Sequence, residues 1–247
     1  MPGVLVVTGG SRGIGRAVAL LGAKRGHAVC LSYVSRDDAA REVVATIEAA
    51  GGMAVAVRSD VAREDDILAL FSAADRLGAV TALVNNAGVA DVAARVDEMD
   101  VARLTRMFAT NVTGSFLCAR EAIKRMSTKH GGKGGAIVNL SSVAARLGAP
   151  GKYVDYAASK GAIDSFTIGL AREVAAEGIR VNAVAPGLIA TDIHADNGQP
   201  GRLAQLVGGV PMQRIGEADE IAAAIMWLLS GEASYATGTV LTVSGGR

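Results

Sequence analysis

At 247 residues, half of them hydrophobic and only 4% aromatic, the chain can build a sizeable core from Ala, Val, Leu and Ile. Its formal net charge of +1 comes from interspersed acidic and basic residues, which excludes a general attraction to nucleic acid or to an anionic membrane. The longest apolar stretches fall short of the roughly 18–20 residues a membrane span needs. The start, "MPGVLVVTGG", has no secretory leader, and Cys30 and Cys118 sit in apolar contexts without metal-ligand spacing. A soluble cytoplasmic protein with two buried free thiols is expected.

In chain order, the first apolar run, "VLVVT" (4–8), leads directly into "TGGSRGIG" (8–15) and then a helical pattern. Gly9, Gly13 and Gly15 would permit a tight turn, a close approach of backbone to phosphate, and close helix–strand contact; Ser11, Arg12 and Ile14 belong to the same turn. The spacing G-x-x-x-G-x-G is not the dinucleotide pattern G-x-G-x-x-G, so position between strand and helix carries this reading. The second run, "AVCLSY" (28–33), ends at Ser32–Tyr33 without the carboxylate that would accept from the ribose hydroxyls of NAD. Arg36 follows, and with Arg12 it would suit the 2′-phosphate of NADP. NADP(H) is therefore preferred over NAD(H), for which Asp37 and Asp38 are the carboxylates within reach.

The remaining strand-like runs are "AVAVRS" (54–59), "ALVNN" (82–86), "AIVNLS" (136–141), "RVNAVA" (180–185) and "VLTVSG" (240–245). Helical patterns separate them, including broad apolar ones around 98–128 and 155–177. Runs apolar on successive residues suit a sheet buried on both faces, and strand–helix alternation makes that sheet parallel. The fold class expected is α/β, a Rossmann-like doubly wound parallel sheet of about seven strands with helices on both faces, as a single domain over 1–247. In such a sheet ligands gather beyond the carboxyl ends of the strands. The unusual polar residues lie there: Thr8–Gly15, Asp60, Asn85–Gly88, Ser141–Ser142 and Pro186–Asp192.

"YVDYAASKGA" (153–162) holds two of the four tyrosines. An isolated Tyr-x-x-x-Lys is ordinarily a packed tyrosine and a solvated lysine. Here the pair follows "LSS" after a strand, in a chain with a cofactor loop. Lowering a phenol from its reference pKa near 10 to neutrality takes roughly 4 kcal/mol of phenolate stabilisation. A lysine one helical turn away on the same face supplies part of this. Tyr156 and Lys160 stand in that relation, whereas Tyr153 has no basic residue at the corresponding positions. Tyr156 is thus the candidate proton donor in carbonyl reduction and base in alcohol oxidation. The three histidines have no paired spacing, so no metal centre is expected.

"TGGSRGIG", "NNAG" (85–88), the Asn of "NVTGSF" (111–116), "LSS" (140–142), "YAASK" (156–160), "APG" (185–187) and "TVSGG" (242–246) occur in the order found in short-chain dehydrogenases/reductases, and the chain resembles that family over its whole length. It is most similar to the branch holding 3-oxoacyl-[acyl-carrier-protein] reductases, glucose 1-dehydrogenases and related carbonyl reductases. The resemblance implies that Lys160 also holds the nicotinamide ribose, Ser142 the substrate oxygen, and Asn111 a water-linked proton path to Lys160. The interval from Ser142 to Tyr156 is one residue longer than in many relatives, which the segment "RLGAPGKYVD" absorbs; Ser141 would then be a structural hydroxyl. The resemblance also implies Asp60 and Val61 at the adenine, Asn86, Ala87 and Gly88 under the cofactor, and Pro186, Gly187, Ile189 and Thr191 around the nicotinamide.

Val143, Ala144, Leu147, Tyr153 and Leu188 are the expected walls of an apolar substrate pocket, and the segment 191–212 a substrate lid. A carbonyl or secondary alcohol follows as substrate, with a 3-oxoacyl thioester on an acyl-carrier protein or a sugar as alternatives. Lys124, Arg125, Lys129 and Lys133 form a loose basic stretch that would meet an acidic carrier. The resemblance further implies a homotetramer. A cofactor-binding regulator without activity would be expected to lack one of Tyr156, Lys160 and Ser142, and all three are present.

Overall fold

The computed structural model describes residues 3–190 and 206–247. Seven parallel strands form one sheet in the order β3-β2-β1-β4-β5-β6-β7. They are β1 (Val4–Val7), β2 (Ala28–Tyr33), β3 (Ala54–Arg58), β4 (Val80–Asn85), β5 (Gly135–Leu140), β6 (Ile179–Pro186) and β7 (Val240–Val243). The expected strands are all present, displaced by at most a residue or two at their ends. Among the described residues no helix is long and apolar enough to cross a membrane.

The main helices are α1 (Gly13–Lys24), α2 (Asp37–Ala49), α3 (Glu64–Leu77), α4 (Val101–Phe108), α5 (Gly114–Met126), α6 (Ala144–Leu147), α7 (Val154–Val174) and α8 (Ala218–Leu229). Strand side chains alternate between two cores. Val4 and Val6 join Phe71 of α3, Met126 of α5 and Leu170 of α7. Leu5 and Val7 join Val18 of α1, Ile47 of α2 and Ile225 of α8. That double burial explains why the strands read as unbroken apolar runs. Each fully buried Leu, Ile or Phe contributes roughly 1.5–3 kcal/mol through apolar area removed from water.

The helical pattern around 98–128 is interrupted at Asn111. A π-helical turn, Ala109–Thr113, separates α4 from α5. Its sequence, "ATNVT", is poor in strong helix formers, and Asn111 turns its side chain to the neighbouring loop instead.

The chain leaves β1 in one direction for β2 and β3 and in the other for β4, so strand order reverses between β1 and β4. A crevice beyond that reversal is the ligand position the topology dictates. Further along the edge, Asn85 of β4 donates to Asn139 of β5 at 2.9 Å, and Asn139 donates to Thr167 of α7 at 2.9 Å. This buried polar chain seats α7 against the sheet.

Candidate active site

A cleft of about 1240 Å³ opens beyond the carboxyl edge of the sheet. It begins at the glycine turn, where Gly9 (φ 65°) and Gly13 (φ 52°) adopt backbone conformations that disfavour a side chain. A Cβ on Gly15 would meet the Gly9 carbonyl and come within 2.5 Å of Asn86 Nδ2, so Gly15 brings α1 against the turn rather than lining the cleft. Three residues brace this turn. Ser32 Oγ accepts from the Gly9 amide (3.0 Å), Thr8 Oγ1 accepts from the amides of Asn86 and Ala87 (3.0 and 2.9 Å), and Asn86 Nδ2 donates to the carbonyls of Thr8 and Gly9 (2.8 and 3.0 Å). The supporting roles of Ser32 and Thr8 carry no motif of their own; hydroxyls at strand ends were the available signal.

The N-terminus of α1 has no side-chain cap and no acidic residue in its first turn. Its amides and dipole are therefore directed at the turn with no acidic residue of its own first turn to meet them, and a phosphate fits this arrangement. Arg12 and Arg36 both line the adjoining cleft. Asp37 is engaged elsewhere: it accepts from the Tyr33 hydroxyl at 2.5 Å and pairs with Arg41 at 2.8 Å. That hydrogen bond raises the Tyr33 pKa above its usual value. Asp60 lines the cleft while its Oδ1 accepts from the Ala62 amide at 2.9 Å; Val61 is buried beside it.

At the other end stand Ser142, Tyr156 and Lys160, with Pro186, Gly187 and Ile189. A Cβ on Gly187 would lie 2.7 Å from Ser244 Cα, so the turn after β6 runs tightly against the chain beyond β7. Thr191 and most of the expected lid lie outside the described residues. The expected apolar walls, Val143, Ala144, Leu147, Tyr153 and Leu188, line the cleft.

The Tyr156 phenol and the Ser142 hydroxyl line the same end of the cleft, and Ser142 Oγ accepts from the Ala144 amide at 3.1 Å. Ser141 instead points inward, its hydroxyl 3.5 Å from the Lys160 carbonyl. Lys160 is buried, with Nζ 5.6 Å from the Tyr156 ring centre and donating to the Leu140 carbonyl at 2.7 Å. Burial lowers its pKa to about 8, against the pull of the Asp164 carboxylate one turn further on. The phenol differs from expectation: burial raises the Tyr156 pKa, the nearby Ser142 hydroxyl opposes that in part, and the Lys160 ammonium donates to Leu140 instead.

Asn111 does not line the cleft. From the π turn its Oδ1 accepts from the Val89 amide (2.8 Å), while Nδ2 donates to the Val89 carbonyl (2.9 Å) and to Ser159 Oγ (3.0 Å). Gly88 runs between Asn111 and Lys160: a Cβ there would sit 3.4 Å from Asn111 Oδ1 and 3.6 Å from Lys160 Nζ. The basic stretch is largely satisfied within the chain. Lys124 pairs with Glu121 (2.8 Å), Arg125 with Asp75 (2.7 Å), and Lys129 with Glu177 (2.6 Å).

A phosphate-ready glycine turn at the strand-order reversal and a hydroxyl pair beside a buried lysine make this, in class, a dinucleotide-dependent oxidoreductase. The sequence profile of the family described as Enoyl-(Acyl carrier protein) reductase matches residues 9–247. The chain belongs to the short-chain dehydrogenase/reductase family of NAD(P)-dependent oxidoreductases. It is 54% identical over 245 residues to the uncharacterized oxidoreductase YgfF of Escherichia coli (strain K12), covering 99% of both chains. It is 40% identical to glucose 1-dehydrogenase 2 of Bacillus subtilis (strain 168), over 98% of this chain and 93% of the relative. It is 42% identical to 3beta-hydroxysteroid dehydrogenase 1 of Eggerthella lenta, over 98% and 92%. Among solved structures, a blue fluorescent protein from a metagenomic library in complex with NADPH superposes with a TM-score of 0.90 at 34% identity, covering 98% of this chain and 96% of that one.

Proposed function

We propose that this chain, acting as a single domain, transfers hydride between NADP(H) and a carbonyl or secondary alcohol, with Tyr156 as the general acid and base. The observation that carries the reading is the Tyr156–Ser142 hydroxyl pair beside buried Lys160. When bound, the dinucleotide supplies or accepts the hydride. The glycine turn and the α1 N-terminus would hold its pyrophosphate, and Asp60 and Val61 would receive the adenine. Asn86, Ala87 and Gly88 would lie under the cofactor; Pro186, Gly187 and Ile189 would flank the nicotinamide, with Thr191 assigned there by the family resemblance alone, and Lys160 would take the ribose hydroxyls. Arg12 and Arg36 would meet the 2′-phosphate. The engagement of Asp37 with Tyr33 and Arg41 supports NADP(H) over NAD(H), as does the NADPH named for the structural neighbour.

Ser142 holds the substrate oxygen and Tyr156 delivers a proton to it as hydride reaches the carbon; in oxidation the phenolate removes that proton. Positive charge at Lys160 would favour the phenolate, its Nζ would also be the donor to the ribose hydroxyls, and Asn111 would support the proton path behind it. The apolar walls suit a ketone or alcohol with carbon bulk, a reading that the steroid named for one relative supports. Internal pairing of Lys124, Arg125 and Lys129 favours a free small molecule over an acyl-carrier protein. The chain assembles as a homotetramer through α5 and α7, a reading supported by the exposed Phe116 and Ile168.

The test is oxidation of NADPH and of NADH against an acetoacetyl thioester, a steroid ketone and small ketones, for wild type and Tyr156→Phe. We expect NADPH-preferring turnover that falls on the order of 10²–10⁴-fold in the variant, which retains cofactor binding. Turnover that survives the substitution would overturn the assignment.

A further inference from the structure

Helix α7 carries its two chemical residues one position after two others that face a different helix. Asp155 precedes Tyr156 and Ser159 precedes Lys160. Both preceding side chains are gripped from α4 and the π turn. Arg103 Nε donates to Asp155 Oδ2 at 2.8 Å and Nη2 to Oδ1 at 3.3 Å, while Asn111 Nδ2 donates to Ser159 Oγ at 3.0 Å. The same two residues also hold the loop after β4, which walls the cleft. Asn111 pairs with both backbone groups of Val89, and Arg103 Nη1 donates to the Val92 carbonyl at 2.8 Å. A third tie, from the Ala94 amide to the Lys152 carbonyl at 3.0 Å, joins that loop to the approach to α7.

The Arg103–Asp155 pair is buried, with the two side chains 8% and 0% exposed. A carboxylate in the first turn of a helix is already favoured by the helix dipole. Burying it with a guanidinium incurs desolvation that the mutual attraction roughly offsets, so such a pair adds little stability over a well-packed apolar one. What a two-pronged guanidinium–carboxylate contact does supply is fixed geometry. Here the geometry fixed is that of the residue next to Tyr156 and of the cleft wall facing it.

We propose that Arg103 is a positioning residue: through Asp155 and Val92 it sets the Tyr156 phenol against the substrate-facing loop, as Asn111 does for Lys160 through Ser159 and Val89. The inference rests on the acid–base reading of Tyr156.

The experiment compares wild type with Arg103→Met, Arg103→Lys and a control, Arg180→Met, which perturbs a distant helix end. Turnover is followed with NADPH and whichever ketone of the panel above the wild type reduces. Arg103→Met is expected to lose on the order of 10- to 100-fold in kcat, since a displacement near 1 Å suffices for that, with KM for NADPH within about twofold. Arg103→Lys is expected to recover part of the loss, and Arg180→Met to leave kcat unchanged. A second arm needs no turnover. With tyrosine labelled at its ζ carbon, the Tyr156 signal is identified by its disappearance in Tyr156→Phe, and it is expected to shift in Arg103→Met and not in Arg180→Met. Unchanged kcat with an unmoved Tyr156 signal in Arg103→Met would overturn the proposal, as would equal effects in the control. If Tyr156→Phe keeps its turnover, the acid–base reading fails instead, and the labelled-tyrosine arm still decides whether Arg103 places that side chain.

Discussion

Lys160 is the residue at which function and stability pull apart. Its pKa of about 8 lies below the ordinary 10.5 because its ammonium is buried. Between those values the unfolded chain binds a proton the folded one does not, so stability rises with pH across that window, and below about 8 the whole penalty is present. The difference corresponds to about 3 kcal/mol, reduced by about 1 kcal/mol for the Leu140 carbonyl that the ammonium satisfies. Lys160→Met should therefore be more stable than wild type near neutral pH by about 2 kcal/mol, while losing activity. Denaturant titrations of both proteins at several pH values should show that advantage shrinking as pH rises from about 8 to about 10. An advantage independent of pH would mean that proton linkage at Lys160 is not its source. The local sequence placed Tyr156, Ser142 and Lys160 together because two lie one helical turn apart and the third follows closely on a strand. Nothing in it told where the ammonium points or how far the phenol is buried, and that burial reversed the expected direction of the Tyr156 pKa.

Among the elements, α8 shows how a helix end can be finished by a strand. Arg180 of β6 donates to the carbonyls of Leu228 (2.6 Å), Leu229 (3.2 Å) and Ser230 (3.0 Å), which the end of α8 leaves without internal donors, and also reaches the Ala236 carbonyl beyond it (3.4 Å). Partial burial lowers the Arg180 pKa, yet the side chain is retained as a cap on that helix end. Arg180→Met should cost about 2 kcal/mol or more, read as a lower denaturation midpoint with the slope unchanged. A midpoint within error of wild type would show that solvent satisfies those carbonyls equally well. Strands were legible because their unbroken apolar runs have only one comfortable place, a sheet covered on both faces. The break between α4 and α5 was not, although "ATNVT" carried a weak propensity signal. Its cause is tertiary: Val89 and Ser159 both reach Asn111. Arg103 went unread for the same reason, since its partner Asp155 is remote in sequence.

For the whole molecule, the strand reversal between β1 and β4 puts the cofactor turn and the chemical residues on one edge, and alternation of strands with helices was enough to anticipate it. Assembly was anticipated only through resemblance. Phe116 of α5 stacks on Phe166 of α7, with ring centres 3.7 Å apart, and remains 48% exposed; Ile168 is 38% exposed on the same helix pair. Gly161 and Gly169 of α7 have open space where a side chain would stand, which lets another helix approach closely. Light scattering should give a mass about four times the 25.0 kDa of one chain, and Phe116→Glu with Ile168→Glu should lower it. A wild-type mass of one chain would sink the tetramer.

The bracing of Gly9 by Asn86 has a bearing on the order of folding. The glycine turn follows the first strand, yet two of its carbonyls are held by a side chain that arrives after three helices and three further strands have been made. Contacts of such long sequence separation close late, because the loop entropy must be lost before they stabilise anything. A growing chain emerging from the ribosome therefore carries its nucleotide-recognition turn unshaped until β4 docks beside β1, and the dinucleotide can act as a template for the native state only after that seam has closed.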